Sequence, residues 1–280
     1  MCLIKKGTKM KNLSIPNRKM LASLALTAAL ALLTATAGQA QGVNNNPSVL
    51  PPNSHPYGKT YGQWSAAWWQ WVFSLPATAS PQFDTAECSA GQSGSVWFLA
   101  GTFGGAPLVR NCTIPTGKAL FFPIFNAWAD NTGCAASLCP PTTYSVDQLQ
   151  AIAKSLVDQG SQLACVIDGQ AVHGLSDILN TPYRVQSPAF SYTLPNNPNN
   201  VINTFLAGCY SPPVPLSSVC YASGGQVSPA AADGVYLMLA PLSPGSHTIH
   251  LSASLGGAPF LDITYNLTVA PNSIQDADSE

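Results

Sequence analysis

The side chains of this 280-residue chain that could do hydrolytic chemistry are few and scattered. Paired carboxylates act as acid and as base or nucleophile in glycoside hydrolysis, and a histidine can polarise a substrate. No GxSxG nucleophile motif accompanies them, although a triad is defined by space rather than by order. Loop solubility and turn capping explain the acids equally well. The weak catalytic candidates are Asp84, Glu87, Asp130, Asp233 and His250.

Two cations also have the chemistry of a binding site. Arg110 and Lys118 flank a short segment that precedes a very apolar run. A charge in such a setting needs a partner, because burying an unpaired ion is costly. The sequence therefore predicts either a salt bridge to an acid such as Asp84, Glu87 or Asp130, or a contact with a ligand.

Four of the six tryptophans fall within YGQWSAAWWQW, which we predict to belong to a helix over Tyr61–Ser74 that ends before a proline. On a helix Trp64, Trp68 and Trp71 share one face, and Trp69 lies on another. A helix that is apolar nearly all round is normally buried. Indole also carries a donor and a flat face that stacks on sugars or aromatic ligands. We expect most of the cluster to be core and part of it to line a groove, with Trp69, Trp64 and Trp68 as ligand-binding candidates.

His247 and His250 resemble a metal-ligand pair. Side chains three apart on a strand point to opposite faces, so the predicted strand separates them. The spacings CxxC and HExxH do not occur, and we predict no metal and no cofactor. On the polar face His250 is expected to lie opposite Thr264 or Asn266. That face is interpreted either as a solvated surface or as a shallow site formed by Thr248, His250, Ser252, Asp262, Thr264 and Asn266.

Seven cysteines follow residue 40, and cysteines of an exported protein are first interpreted as disulfide partners. Cys165 lies in an apolar run and is predicted to stay unpaired as a small buried hydrophobe. Local pairing predicts the bridges Cys88–Cys112, Cys134–Cys139 and Cys209–Cys220.

The N-terminal residues are typical of an export signal. Six of the eleven basic residues precede the apolar run 21–37, and small residues follow it. An uncleaved anchor is the competing interpretation, but the run is short and rich in alanine and threonine. We expect cleavage near residue 40, no stable membrane insertion afterwards, and a periplasmic or extracellular location. The remaining chain keeps five cations against twelve acids, a difference of −7, which disfavours nucleic-acid binding.

The rest of the chain favours a mainly β fold, because charge is sparse and turn residues are frequent. The second predicted helix, Val146–Gln159, has a capping box at Ser145 and Gln148. Alternating apolar residues predict a C-terminal hairpin around the turn at residues 256–259. Asp168-Gly169 predicts a two-residue hairpin between Leu163–Ile167 and Gln170–His173. We expect an antiparallel β-sandwich, jelly-roll or immunoglobulin-like, with two helices packed on it. Predicted strands are Ser95–Ala100, Ala119–Phe125, Leu163–Ile167, Phe190–Leu194, Gly234–Ala240, His247–Ser254 and Leu261–Val269.

The predicted organisation is a signal peptide over residues 1–40, a flexible leader over 41–56, a single domain over 57–270 and a disordered acidic tail over 271–280. The length alone would also allow two small domains. The acidic tail and the leader, which is rich in asparagine and proline, lack the apolar residues of a packed core.

Three blocks of the chain resemble a family of uncharacterised exported bacterial proteins. They are YGQWS with WWQW at residues 61–71, GQSGSVWFLAG at 91–101, and RNCTIP with GKALFFP at 110–123. Together with PLSPGSHTIH at 241–250 they span most of the chain after the signal. The resemblance implies an exported, compact single unit and transfers no catalytic residue.

These observations lead to one leading hypothesis and two alternatives. We expect an exported, non-catalytic protein that binds a carbohydrate or a polar-aromatic ligand at the tryptophan segment. The first alternative is a secreted hydrolase of glycosidase or esterase type on a sandwich scaffold. The second is a structural component of the envelope.

Overall fold

The computed structural model of the chain describes residues 47–83, 87–105, 107–131, 143–196, 198–209 and 224–271. Within these ranges the chain forms three α-helices and ten β-strands. The helices are α1 (Tyr61–Ser74), α2 (Val146–Val157) and α3 (Val201–Cys209). The strands are β1 (Val96–Phe98), β2 (Leu108–Pro115), β3 (Ala119–Asp130), β4 (Gly160–Ile167), β5 (Gln170–Ala171), β6 (Arg184–Gln186), β7 (Phe190–Thr193), β8 (Gln226–Leu239), β9 (Gly245–Leu255) and β10 (Ala258–Ala270).

The ends of α1 are set by local sequence. Thr60 Oγ1 accepts from the Gln63 N–H at 3.1 Å, and Gln63 Oε1 accepts from the Thr60 N–H at 2.9 Å. This capping box satisfies two donors of the first turn. Leu75 precedes a proline and is extended, with ψ of 141°, which ends the helix. The predicted helix Tyr61–Ser74 is confirmed.

The other two helices differ in how well the sequence predicted them. The capping box of α2 forms between Ser145 and Gln148 as predicted, and the helix ends two residues earlier than expected. The third helix, α3, was not predicted, and the expectation of only two helices is wrong. Its start is marked by Asn200, whose Oδ1 accepts from the Asn203 N–H at 2.9 Å.

The strands form two five-stranded sheets. The first has the order β1-β3-β8-β6, with β7 also pairing with β8, and the second has the order β2-β10-β9-β4-β5. Two pairings are parallel, β1 with β3 and β2 with β10. The predicted purely antiparallel sheets are therefore wrong, because β1 and β2 each run beside a strand distant in sequence. The seven predicted strands are confirmed apart from their ends, and β5 lies within Gln170–His173, the predicted second arm of the Asp168-Gly169 hairpin. β2 and β6 were not predicted as strands.

The two tight turns are confirmed. Asp168 and Gly169 have φ of 49° and 79° between β4 and β5, the left-handed geometry of a primed two-residue hairpin. Gly256 and Gly257 join β9 to β10. His250 pairs with Thr264 across this hairpin, one of the two predicted partners.

Both sheets contribute to one hydrophobic core. On the first sheet α1 contacts β3, β6, β7 and β8, and α2 contacts β3 and β8, so both predicted helices pack on it. On the second sheet one face is buried, and β4 and β9 contact β3 of the first sheet. The buried residues of the second sheet include Ile249, Leu251, Ile263 and Tyr265.

The segment before α1 packs against the first sheet. Val49, 4% exposed, forms a bridge with Leu239, and the Leu50 N–H donates to the Met238 carbonyl at 2.8 Å. Val49 and Leu50 belong to the predicted leader. The first part of that leader, the predicted signal and residues 272–280 of the predicted tail lie outside the described residues. None of the described helices has the length and apolar character needed to cross a bilayer.

Candidate functional site

One edge of β3 is paired with another strand at its start and is left uncovered further along. β8 pairs with β3 from Leu120 to Asp130, whereas β1 covers the opposite edge only from Ala119 to Phe121. Among the described residues no strand pairs with that edge beyond Phe121. Burial follows the same division, since the last five residues of β3 are half-buried and the preceding ones are buried.

A cavity of about 220 Å³ lies at this uncovered edge. Its walls come from both faces of the sheet, which is possible because no described strand closes the edge between them. Its aromatic walls are formed by Trp69 of α1, Phe125 and Trp128 of β3, Phe260 of β10, Phe103 and Phe205. None of the described residues that line the cavity is charged.

Trp69 is held rigidly in the wall by other rings. Its centroid lies 4.9 Å from that of Trp68, 4.9 Å from that of Trp128 and 5.1 Å from that of Phe73. Trp69 is only 2% exposed, so a ligand would have to contact it from the cavity. Trp69, predicted to lie off the main tryptophan stripe, is thus the tryptophan of α1 that lines the cavity.

A buried amide supplies the cavity with polar chemistry. Gln82 is 5% exposed and lines the cavity, and its Oε1 accepts no hydrogen bond among the described residues. An unsatisfied buried acceptor costs about 1–3 kcal/mol. A Cβ built on Gly101 would lie 3.6 Å from this oxygen, which places the oxygen at the cavity wall. Gln82 Oε1 has almost no accessible surface of its own, so a donor on a bound molecule would reach it only after a small shift of the cavity wall.

A second amide, Asn126, is fixed by its neighbours. Asn126 Nδ2 donates to the Tyr236 hydroxyl at 3.1 Å, which directs Oδ1 elsewhere. Burial raises the pKa of Tyr236 to about 12, so its hydroxyl stays neutral. Gly234, opposite Asn126, permits this packing, because a Cβ there would come within 2.6 Å of Asn126 Cβ.

The other three tryptophans of α1 are fixed in place by hydrogen bonds from their indole N–H groups. Their indole N–H groups donate to the carbonyls of Pro56, Leu99 and Ala90, from Trp64, Trp68 and Trp71 respectively, each at 2.9 Å. Trp68 is fully buried, so its ring is not available to a ligand from solvent. The Trp64 and Trp71 rings are 8% and 6% exposed and border a more open groove.

That groove has a volume of about 510 Å³ and a mixed lining. Lys59 lies over the Trp64 ring at 4.6 Å, a cation–π contact. Hydroxyl groups come from Ser74, Ser93 and Ser95. Polar groups beside partly buried indoles distinguish this groove from the apolar cavity.

The two candidate cations have separate roles. Arg110, 7% exposed, donates to the carbonyls of Ala100 at 2.8 Å and Gly101 at 3.0 Å, and to the Tyr265 hydroxyl at 2.6 Å. It therefore positions the segment that enters the cavity wall at Gly101. Lys118 donates from Nζ to the Gly94 carbonyl, beside the groove.

The two candidate acids of the first sheet, Asp130 and Asp233, lie on opposite faces. Asp233 lies opposite Ala127, so it points to the other face of the sheet from Asp130. Asp130 Oδ2 accepts from Trp128 Nε1 at 2.9 Å and from the Tyr192 hydroxyl at 2.7 Å. Glu87 is exposed and Asp84 lies outside the described residues.

Asp233 belongs to a buried ion pair. Arg184 Nε lies 2.8 Å from Asp233 Oδ1, and Arg184 Nη2 lies 2.7 Å from Asp158 Oδ1. Burial raises the pKa of Asp233, and the Arg184 guanidinium opposes that rise. A salt bridge accounts for this acid without any catalytic role.

The two histidines have different carboxylate partners. His250 Nε2 lies 2.9 Å from Asp262 Oδ1, and both side chains are more than two-fifths exposed, at 44% and 47%. His247 contacts Asp168 Oδ2 through Nδ1 at 2.7 Å and the Ser243 carbonyl through Nε2 at 2.9 Å. In the described part of the chain no cluster of three or more potential metal ligands occurs.

The cysteines support one predicted bridge. Cys88 and Cys112 form a disulfide, and Cys165 is free and buried as predicted. Burial raises the pKa of the Cys165 thiol to about 12. The predicted pairs Cys134–Cys139 and Cys209–Cys220 involve side chains outside the described residues.

Sequence reasoning missed most of the cavity. Gln82, Phe103, Phe205 and Phe260 lie in four separate segments, and no spacing links them. Trp128 had a signal, since it continues the apolar run of β3 beyond its predicted end. Comparisons with protein-family models, with curated proteins and with solved structures find no match to this chain.

Proposed function

We propose that the protein binds a small polar-aromatic molecule in the cavity lined by Trp69 and Trp128. The observation that carries the proposal is the buried Gln82 Oε1, an unsatisfied acceptor in an uncharged, aromatic wall. An aromatic ring with one hydrogen-bond donor, such as a phenol or an indole, would satisfy that oxygen and stack on the indoles.

The size and polarity of the cavity narrow the ligand further. A cavity of about 220 Å³ is smaller than most drug-sized sites, so a ligand of one or two rings fits it. A sugar would bury several hydroxyls against apolar walls that offer few partners, which costs free energy. The polar-aromatic ligand is therefore favoured over the carbohydrate at this cavity.

The groove supports carbohydrate binding as a second candidate function. Lys59, Trp64 and three serines combine an indole at the border of the groove with an ammonium and hydroxyl groups, the chemistry that sugars use. The indoles there are only slightly exposed, so this candidate ranks below the first.

The setting in our proposal is an exported sandwich protein of the periplasm or the extracellular space. The basic N-terminal region, the apolar run and the Cys88–Cys112 disulfide support export. The contacts of β3 with β4 and β9 support sandwich packing.

Binding can be tested by isothermal titration calorimetry with p-cresol, indole, toluene and glucose. p-Cresol and indole should bind, and toluene, which has the shape of p-cresol without its donor, should bind more weakly. Gln82→Leu should weaken p-cresol binding about fivefold, since a neutral hydrogen bond contributes about 1 kcal/mol, and should leave toluene unaffected.

Gln70→Leu is the matched control, because it makes the same change of side chain at a glutamine of α1 that borders the groove and not the cavity. It should leave p-cresol binding unchanged. If neither p-cresol nor indole gives a heat of binding or raises the melting temperature, the proposal is wrong. Binding of glucose alone, weakened by a change in the groove, would favour the second candidate.

A further inference from the structure

The main chain of β8 shows which way the uncovered edge of β3 points. The Ala232 N–H donates to Ser187 Oγ at 2.8 Å, and the Ala232 carbonyl accepts from the Ser187 N–H at 2.9 Å. Both main-chain groups of Ala232 therefore point away from β3. In an antiparallel ladder, directly opposed residues either bond each other or both point outwards. Trp128, opposite Ala232, must direct its N–H and carbonyl away from β8.

The same reasoning applies two residues earlier. Tyr236 donates its N–H to the Tyr183 carbonyl at 3.1 Å, so it also points away from β3. Gly234 lies between Tyr236 and Ala232 and shares their direction. Its partner Asn126 thus directs its main-chain groups to the uncovered edge.

Four main-chain groups, one N–H and one carbonyl from each of Asn126 and Trp128, therefore face the cavity side of β3. No described strand covers them, and both residues are half-buried and line the cavity. Half-buried main-chain groups need partners, because leaving them unpaired costs free energy. Their spacing, two residues or roughly 7 Å along a strand, is the repeat of an extended peptide.

We propose that this edge receives a short extended peptide, whose main chain bonds Asn126 and Trp128 while an aromatic side chain enters the cavity. The inference rests on the proposed function, and it names the class of ligand. Successive side chains of an added strand point to opposite faces, and the cavity has aromatic walls towards both, Trp69 on one and Phe260 on the other.

The chemistry of the walls sets the sequence of that peptide. The described part of the cavity lining holds no charged residue, which favours a neutral residue at each position of the peptide that pairs with the edge. Gln82 Oε1 accepts from a side-chain donor, which favours tyrosine or tryptophan over phenylalanine at the position that enters the cavity.

Amide hydrogen exchange tests the proposal on the unaltered protein. The probe is a blocked neutral pentapeptide, acetyl-Ala-Val-Tyr-Val-Ala-amide. On its addition the exchange of the Asn126 and Trp128 amides should slow at least about tenfold, since each gains a partner. The Ala127 and Ala129 amides, which face β8, should not change.

N-methylated versions of the peptide supply the matched control. Methylation of alternate amides removes donors on one edge of an extended peptide only. One methylation pattern should weaken binding at least about tenfold and the other should leave it unchanged. Equal affinity of the two patterns would overturn the proposal.

The outcomes separate this inference from the proposed function. Binding of p-cresol without binding of the peptide would overturn the inference and leave the proposed function standing. Failure of both ligands would remove both. A dimer in solution whose Asn126 and Trp128 amides are already protected would assign the edge to a second copy of the chain and overturn the peptide proposal.

Discussion

The two sheets differ in what covers them. The first sheet is covered by α1 and α2, and most of β3 and β8 is buried without alternation. The second sheet alternates, with β10 burying every other residue. A sheet covered on its faces can form an enclosed cavity wherever one edge stays open, whereas a solvated face offers only shallow contacts. The difference places the candidate site on the first sheet.

The sharpest test of that difference is a truncation on each sheet. Phe121 is fully buried and its ring stacks on Tyr236 with centroids 5.3 Å apart. Phe121→Ala should lower the free energy of unfolding by about 4 kcal/mol, because it leaves a cavity among packed rings. Thr264→Ala, on the solvated face of the second sheet, should change it by less than about 0.5 kcal/mol. Urea denaturation measures both changes in the free energy of unfolding. Similar losses in the two variants would contradict the expected difference between the sheets.

A slightly smaller effect is expected from the buried charge of the first sheet. Arg184→Met should cost about 3 kcal/mol, because it leaves the Asp233 carboxylate, 2% exposed, without its partner. Arg184→Lys keeps the charge and should cost less. Since burial raises the pKa of Asp233, protonation should reduce the loss in Arg184→Met as the pH falls. A loss that is the same at all pH values would show that Asp233 is not the cause.

The smallest effects are expected at the histidines of the second sheet. Burial opposes protonation of His247, but Asp168 and the Ser243 carbonyl outweigh it and raise its pKa. Protonated His247 therefore favours the folded state. Its contribution is complete below the ordinary histidine pKa and is lost as the pH rises through the raised value. The difference in unfolding free energy between wild type and His247→Gln should shrink between about pH 5 and about pH 9.

His250→Gln is the matched control on the same strand. The His250–Asp262 pair is exposed, and exposed pairs contribute little, so this change should cost less than about 0.5 kcal/mol. A larger loss in His250→Gln than in His247→Gln would contradict the ranking of the two pairs.

The β9–β10 hairpin of the second sheet could be predicted from the sequence, because alternating apolar and polar residues show which face is buried. Matching the two buried faces limited the partner of His250 to Thr264 or Asn266, and the structure pairs it with Thr264. The helix α1 was equally accessible, since proline and the helical spacing of its tryptophans mark it. The local sequence pattern was enough to predict a strand where its pairing partner is the next strand along the chain.

The candidate site could be predicted only in part. Trp69 was singled out by its place off the tryptophan stripe, but the open edge of β3 depends on how far β1 extends. β2 escaped prediction because it carries Arg110 and Asn111, and its parallel partner β10 lies more than 140 residues away. Gln82 carries no local signal, because its significance is an unmet hydrogen bond in three dimensions.

The Cys88–Cys112 disulfide has a consequence for the cavity. The bond joins residues 24 positions apart, and the ring of chain that it closes contains Gly101, Thr102 and Phe103 of the cavity wall. Closing a ring of that size removes roughly 3 kcal/mol of chain entropy from the unfolded state. Reducing surroundings would release this constraint on one wall, so the cavity should be firmest where thiols are kept oxidised.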